Sequence, residues 1–426
     1  SPTILLFGFL GVLRGYFQAR RTMVPTSVSQ IIEQIINAVV SILAAWIFIQ
    51  LAGAAPGTTE RAVQGAIGSA VGTGAGVLAA LLFMILVYMR KRRETLSRIA
   101  KDTEHPADPM PAVFRTLFLT VTPFILSTFI YNFSTMLDQT IFQRILFHVR
   151  QVREEDIAVA YGIFSTKAVV IANIPIALSN ALSSAMMPGL SARFARKDRE
   201  GAADLVNRSL TATVLISIPC AAGLAVLSRS VVFVLFPQRA SLDEAAMLLA
   251  GIAVTVVFYS ISTVTNAVLQ GAGRMNLPVI NAAVALVIQG ALLAVLLLCT
   301  EMDNGALAIA AILYSGLMCV LNERSLRGVL ERRAAWGKIL KAPLLSAAIM
   351  AICAFAIDRG LLAVFSFFPI GEYLKNLLAL FPTILLSIEI YGITLIRFGG
   401  VTEETLLSLP RGTSIVRFMK KLRILR

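Results

Sequence analysis

Apolar runs long enough to cross a lipid bilayer recur along almost the whole sequence, and no other feature constrains the fold as strongly. A helix crosses the hydrocarbon layer in about 20 residues. Runs of that kind lie near residues 2–13 (a short one), 24–51, 65–89, 112–143, 157–187, 209–228, 245–270, 278–299, 305–322, 339–357 and 373–396. The spacing predicts eleven spans joined mostly by brief loops. Lipid offers no partners to an open sheet edge, and no alternating strand pattern recurs. The expected class is therefore an all-α polytopic membrane protein. Composition agrees, with 57% hydrophobic and only 15% charged residues, where a soluble domain carries about a quarter. Disordered, collagen-like and disulfide-rich secreted classes are excluded on the same figures.

The net charge of +14 has to be placed before it is interpreted. Its basic residues sit in short clusters between apolar runs, such as Arg90-Lys91-Arg92-Arg93, rather than on a soluble basic domain. That pattern excludes nucleic acid as the expected partner and points to loops beside anionic lipid. The loops after the odd-numbered runs, with the tail, hold 28 of the 38 Lys and Arg residues, and the loops on the other side hold 8. Lys341 and Lys375, at span ends, are counted there with their adjoining loops. The positive-inside rule puts the richer family and the C-terminal tail in the cytoplasm. Ser1-Pro2 then starts outside, with no signal peptide or initiator Met, on a run too short to span comfortably. The expectation is an N-terminally truncated piece of a longer protein. An odd number of missing helices restores a cytoplasmic N-terminus, and three would make fourteen.

A weak internal echo fits a duplicated architecture. Gln18-Ala19-Arg20-Arg21-Thr22-Met23-Val24-Pro25 follows the first run, and Gly271-Ala272-Gly273-Arg274-Met275-Asn276-Leu277-Pro278 follows the seventh. In both, an Arg precedes by four residues a Pro that opens the next span, where its missing N–H costs nothing. An offset of six spans gives repeats of the same orientation.

Polar residues inside spans mark either interhelical hydrogen bonds or a hydrated path. Three helices carry them on one face. The second run has Ser27, Gln30, Glu33, Gln34, Asn37 and Ser41. The fourth has Thr128, Asn132, Thr135, Asp138, Gln139 and Gln143, opposite Phe129, Ile130, Phe133, Leu137 and Ile141. The seventh has Tyr259, Ser262, Thr263, Asn266 and Gln270. Charges are harder to explain as packing contacts than amides are, so Glu33, Asp138 and Lys167 are the sharper candidates. Arg144 is expected at the outer interface, and Glu389 stands alone in the last span. No Walker motif is present, so the chain is not expected to hydrolyse ATP. Cys220, Cys299, Cys319 and Cys353 lack metal-ligand spacing, as do His105 and His148, so neither metal nor cofactor is expected.

Leu13-Arg14-Gly15-Tyr16-Phe17-Gln18, followed by Met23-Val24-Pro25-Thr26-Ser27-Val28-Ser29-Gln30-Ile31-Ile32-Glu33-Gln34, resembles a signature of the polysaccharide flippase branch of the MOP exporter superfamily. That branch holds the lipid II flippases, the stage V sporulation protein B group and O-antigen-type flippases. Leu137-Asp138-Gln139, the stretch from Tyr161-Gly162 through Lys167 and Pro175 to Met187-Pro188, and Leu269-Gln270-Gly271-Ala272-Gly273-Arg274 are similar too. The resemblance covers essentially the whole chain. It implies fourteen helices, two six-helix bundles around a central cationic cavity plus a terminal pair. On that frame residues 1–111 are the remainder of the first bundle, 112–335 the second, and 336–426 the terminal pair with a basic tail.

The resemblance implies a flippase in the bacterial cytoplasmic membrane, moving an undecaprenyl-pyrophosphate-linked saccharide by alternating access. The peptidoglycan precursor lipid II heads the list of substrates. Burying a pyrophosphate in about 30 Å of hydrocarbon is prohibitive, so a polar cavity must replace its hydration. Arg14, Arg20, Arg21 and Arg274 at the cytoplasmic mouth are candidates to attract the diphosphate. Glu33 and Asp138 are candidates to bind a coupling monovalent cation or to hold basic residues, and the membrane potential is another energy source. The cell-wall synthesis machinery is a conceivable partner. Two readings stand beside this one: a cation-coupled drug or metabolite antiporter of the same superfamily, and a membrane enzyme of envelope polysaccharide assembly, against which the short outer loops argue.

Overall fold

The computed structural model describes residues 2–20, 22, 24–51, 58–101, 109–330 and 336–400. Among these residues the chain is helical throughout, with no strand. Among the described residues nine helical segments are long and apolar enough to cross a membrane, and they match nine of the eleven runs. The remaining two runs coincide with helices Pro2–Ala19 and Met110–His148. The all-α polytopic class is what the apolar runs predict. The chain divides into two compact units, Ser1–Met110 and Pro111–Arg426.

The first unit contains α1 (Pro2–Ala19), α2 (Val24–Leu51) and α3 (Thr58–Lys101). Pro25 sits in the first turn of α2, where a missing N–H is harmless. Between helices in lipid there is little hydrophobic driving force, so close backbone approach carries the packing. Gly68, Gly72 and Gly76 repeat every fourth residue on the α3 face that meets α2. A Cβ at Gly76 would lie 2.7 Å from the Glu33 carbonyl, and one at Gly68 or Gly72 would run into the backbone of Ala45 or Ser41. Farther along α3, Val77, Ala80, Leu81 and Met84 bury Leu10 and Phe17 of α1.

The second unit runs from α4 (Met110–His148) through α5 (Glu154–Gly162), a π-helical segment (Ile163–Ala168), α6 (Val169–Ala195), α7 (Arg199–Val226), α8 (Ser228–Leu235), α9 (Leu242–Gly271), α10 (Asn276–Cys299), α11 (Asp303–Leu330), α12 (Trp336–Ser366) and α13 (Glu372–Arg397). The most deeply buried helix of the second unit is α9, whose residues reach both of its large apolar clusters. The α9–α10 turn closes on Gly273, at φ +73°, with Arg274 N–H donating to the Leu269 carbonyl at 2.9 Å. Such a glycine-closed helix end suits a residue without Cβ. Asp198 caps α7 by accepting from the Gly201 amide at 2.9 Å. The terminal pair is tied to the unit by Tyr391, whose hydroxyl donates to the Leu215 carbonyl at 2.9 Å.

Three departures from the sequence reading matter for the site. The span expected at 157–187 is one continuous segment over 154–195, broken in register by the π-helical turn. A short helix, α8, precedes α9 where only a loop was expected, because eight residues, of which only 231–235 are apolar, are too few to register as a span. Finally, α4 runs on to His148, which puts Asp138 ten residues from its end, a depth of about 15 Å.

Candidate functional site

Seven of the sequence candidates, those on α1, α2 and the turn between them, belong to the first unit. Arg14 and Glu33 form an ion pair between α1 and α2 at 2.7 Å, with side chains only 12% and 15% exposed. Arg14 Nε also donates to Ser29 Oγ at 2.9 Å, and Ser29 passes a hydrogen bond on to the Thr26 carbonyl. Both charges are therefore spent on each other. Arg20 donates to the Tyr16 hydroxyl at 2.9 Å and lies over its ring. Asn37 accepts from Ser41 at 3.0 Å and joins α2 to Thr73 of α3. Gln30 and Gln34 are exposed, and Arg21 lies outside the described residues.

In the second unit the polar stripe of α4 meets a chamber of about 330 Å³. Asn132, Ser134, Thr135 and Asp138 of α4 line it with Tyr161 of α5, Ser165 of the π-helical segment and Gln289 of α10. Asn173 of α6, Thr255 and Tyr259 of α9 and Tyr314 of α11 complete its polar wall. Asp138 accepts from Gln289 Nε2 at 2.5 Å, and Ser134 Oγ donates weakly to Gln289 Oε1 at 3.4 Å. Gln289 is 1% exposed, so the carboxylate and its amide partner are held by packing. Tyr161 donates to the Thr135 carbonyl at 3.3 Å. Among the described lining residues there is one carboxylate and no Lys, Arg or His. A chamber so lined attracts a cation or a proton and repels a diphosphate.

The other candidates stand apart from this chamber. Gln139 is exposed on α4, and Arg144 lines a separate pocket with His148 and Glu154 at the α4–α5 end. The π-helical turn splits its neighbours: Ser165 faces the chamber, while Lys167, 9% exposed, reaches the loop before α9. Lys167 donates to Gln238 Oε1 at 2.9 Å and Ser241 Oγ at 2.6 Å and lies against the Phe236 ring. Asn266 accepts from Asn322 Nδ2 at 2.8 Å, and Asn281 donates to both Asn322 and Ser325 at 2.9 Å, which ties α9, α10 and α11 together. For Asn266 interhelical hydrogen bonding is thus the observed role. Arg274 is exposed on its turn, and Glu389 is exposed on α13.

A model of the family described as "Lipid II flippase MurJ" matches residues 1–378. The chain belongs to the lipid II flippase MurJ family. A MurJ lipid II flippase of Bacillus subtilis (strain 168) is 24% identical over 329 residues, which is 75% of this chain and 58% of the relative. The chain thus spans about three-fifths of the length of that curated relative. The solved structure of a lipid II flippase MurJ in an inward closed conformation superposes with a TM-score of 0.57 at 15% identity. It covers 93% of this chain and 72% of its own. The MurJ fold is shared, and MurJ proteins are flippases rather than enzymes, which removes the membrane-enzyme reading.

Within this MurJ fold the residue that sequence reasoning missed is Gln289. It is the one strongly polar residue in the interior of the 278–299 run, and that isolation was its signal. Asn281 and Asn322, near span ends, gave no comparable sign.

Proposed function

We propose that this chain is the greater part of a flippase that moves an undecaprenyl-pyrophosphate-linked saccharide, lipid II foremost, across the bacterial cytoplasmic membrane. The observation that carries the reading is the MurJ family match over residues 1–378 in a multi-pass helical chain. A diphosphate headgroup needs a polar, positively charged route, because hydrocarbon cannot supply its solvation. Arg20, Arg21 and Arg274, at the ends of spans that the charge asymmetry assigns to the cytoplasmic side, draw the headgroup in; Arg14 is committed to Glu33 and organises the α1–α2 packing instead. The Asp138 chamber serves a different ligand. It takes a monovalent cation or proton whose gradient drives the change of access between the two faces, with the membrane potential adding to it. The C-terminal tail faces the cytoplasm, and the product is handed to the cell-wall synthesis machinery on the other side.

The test is growth. The full-length protein, expressed in cells depleted of their own lipid II flippase, is expected to restore viability. Asp138→Asn is expected to abolish rescue while the protein still reaches the membrane. Rescue of capsule or O-antigen export instead would reassign the saccharide. Cation-dependent drug efflux without any rescue would favour the antiporter, which the same Asp138 chamber also suits.

A further inference from the structure

A groove of about 980 Å³, distinct from the Asp138 chamber, runs between α7, α9, α11 and α12, and none of its lining comes from α13. Its walls are aliphatic and aromatic except at one end, where α11 closes and α12 begins. Along α12 the lining extends from Trp336 to Ala348, about 18 Å of helix. Val254, Val320 and Leu344 along it are 40%, 65% and 52% exposed, so the groove is open at the side.

Its polar end is incompletely satisfied. Glu323, 7% exposed, accepts from Arg327 Nε at 3.1 Å and from Trp336 Nε1 at 3.0 Å, and both bonds go to the same oxygen. The other oxygen, Oε2, is buried and has no hydrogen-bond partner among the described residues. A buried carboxylate oxygen without a donor is a standing demand for one. Beside it Arg324 is exposed and makes no side-chain hydrogen bond among the described residues. The charged lining residues are Glu323, Arg324 and Arg327, net +1. The groove therefore asks for three things together: an apolar chain, a single negative charge for Arg324, and a hydrogen-bond donor for Glu323 Oε2.

We propose that this groove binds one phospholipid of the phosphatidylglycerol type. Its acyl chain lies along α7, α9 and α12, its phosphodiester meets Arg324, and a glycerol hydroxyl donates to Glu323 Oε2. Basic pockets between membrane helices recognise anionic headgroups in this way, and a tryptophan at the headgroup level is the usual companion. A phosphodiester with one charge neutralises the site. Phosphatidylethanolamine is a net-neutral zwitterion and leaves the positive charge standing. A polyprenyl phosphate is a monoester of about −1.5 to −2 charge near neutral pH, which overshoots the net +1 of the lining. The lipid is a fixed occupant of the bundle, independent of what the protein transports.

Native mass spectrometry of the purified full-length protein, titrated with phosphatidylglycerol, phosphatidylethanolamine and undecaprenyl phosphate, tests this directly. One phosphatidylglycerol per protein is expected to be retained, with phosphatidylethanolamine held about tenfold less tightly. Arg324→Ala, a surface change, is expected to weaken phosphatidylglycerol retention about tenfold. Ala348→Trp, which fills the groove from its exposed side, is expected to abolish retention, and circular dichroism verifies its fold. If Ala348→Trp does not fold, Arg324→Ala alone decides. Equal retention of the two phospholipids, unchanged retention in Arg324→Ala, or displacement of phosphatidylglycerol by undecaprenyl phosphate would each overturn the proposal.

Discussion

The two units each place a carboxylate on a polar helix stripe, and they treat it in opposite ways. In the first unit Glu33 faces Arg14 at 2.7 Å, so the pair is neutral and its remaining bonds go to Ser29. In the second, Asp138 accepts from the amide of Gln289, in a chamber with no basic side chain among its described lining residues. A charge paired with a charge in low dielectric is scaffolding, and removing either partner strands the other. A charge paired with an amide keeps an open coordination and can exchange a cation or proton. The two stripes look alike along the sequence, yet one fastens two helices and the other lines a site.

The largest effect is expected where a buried pair is broken. Glu33→Ala leaves the Arg14 guanidinium nearly enclosed without its counter-charge, at a cost of about 3–5 kcal/mol. Thermal unfolding in detergent should show a large drop or no folded protein. The double replacement Arg14→Met with Glu33→Leu should recover most of the loss, because apolar substitutes for a whole buried pair are often neutral. A Glu33→Ala protein as stable as wild type would show that the pair is not scaffolding and would erase the contrast with Asp138. Next in size is the glycine seam that brings α2 close enough for this pairing. Gly72→Ala puts a methyl against the Ser41 backbone, and forced repacking costs about 1–3 kcal/mol. The same change at Gly251, where no heavy atom stands within 4 Å of the new methyl, is the control.

Much of this fold is legible in the sequence because lipid is a severe solvent. Apolar length alone locates the spans. Function is less legible, because a polar stripe states which residues share a helix face and not what that face meets. Of the α4 stripe, Asn132, Thr135 and Asp138 line the chamber, whereas Gln139 and Gln143 do not. Lys167 looks like a cavity residue by depth, but the π-helical turn rotates it toward Gln238 and Ser241, and no periodicity of 3.6 anticipates that. Asn266 carries the signature of a site and performs the work of a helix clamp, since its partner Asn322 on α11, which Asn281 of α10 also bonds, is distant in sequence.

Gln289→Leu sharpens the second half of the comparison. It removes the donor to Asp138 and the acceptor for Ser134, an expected loss of about 1–2 kcal/mol. Asp138→Asn keeps a hydrogen-bonding partner for Gln289 and should cost less stability, while losing the one carboxylate charge among the described lining residues of the chamber. Measuring unfolding and complementation on both separates packing from function. Gln289→Leu should reduce stability and activity together, and Asp138→Asn should reduce activity alone. The reverse order would make Asp138 a structural residue like Glu33.

The smallest effect concerns an ion pair that resembles Arg14–Glu33 in geometry and differs in burial. Arg150 meets Asp303 at 2.6 Å where α4 gives way to α5, but the Asp303 side chain is 51% exposed. Water and salt screen such a pair to about 0.5 kcal/mol, so Asp303→Asn should be nearly silent and lose even that effect at high ionic strength. Arg150→Ala should cost more, about 1 kcal/mol, because Arg150 Nη2 also donates at 2.7 Å to the Leu297 carbonyl at the end of α10. That carbonyl has no helical partner of its own, and a cation there relieves both its open valence and the end of the helix dipole. Equal costs for the two variants, both vanishing in salt, would mean that the ion pair carries the contact and the carbonyl is satisfied by water.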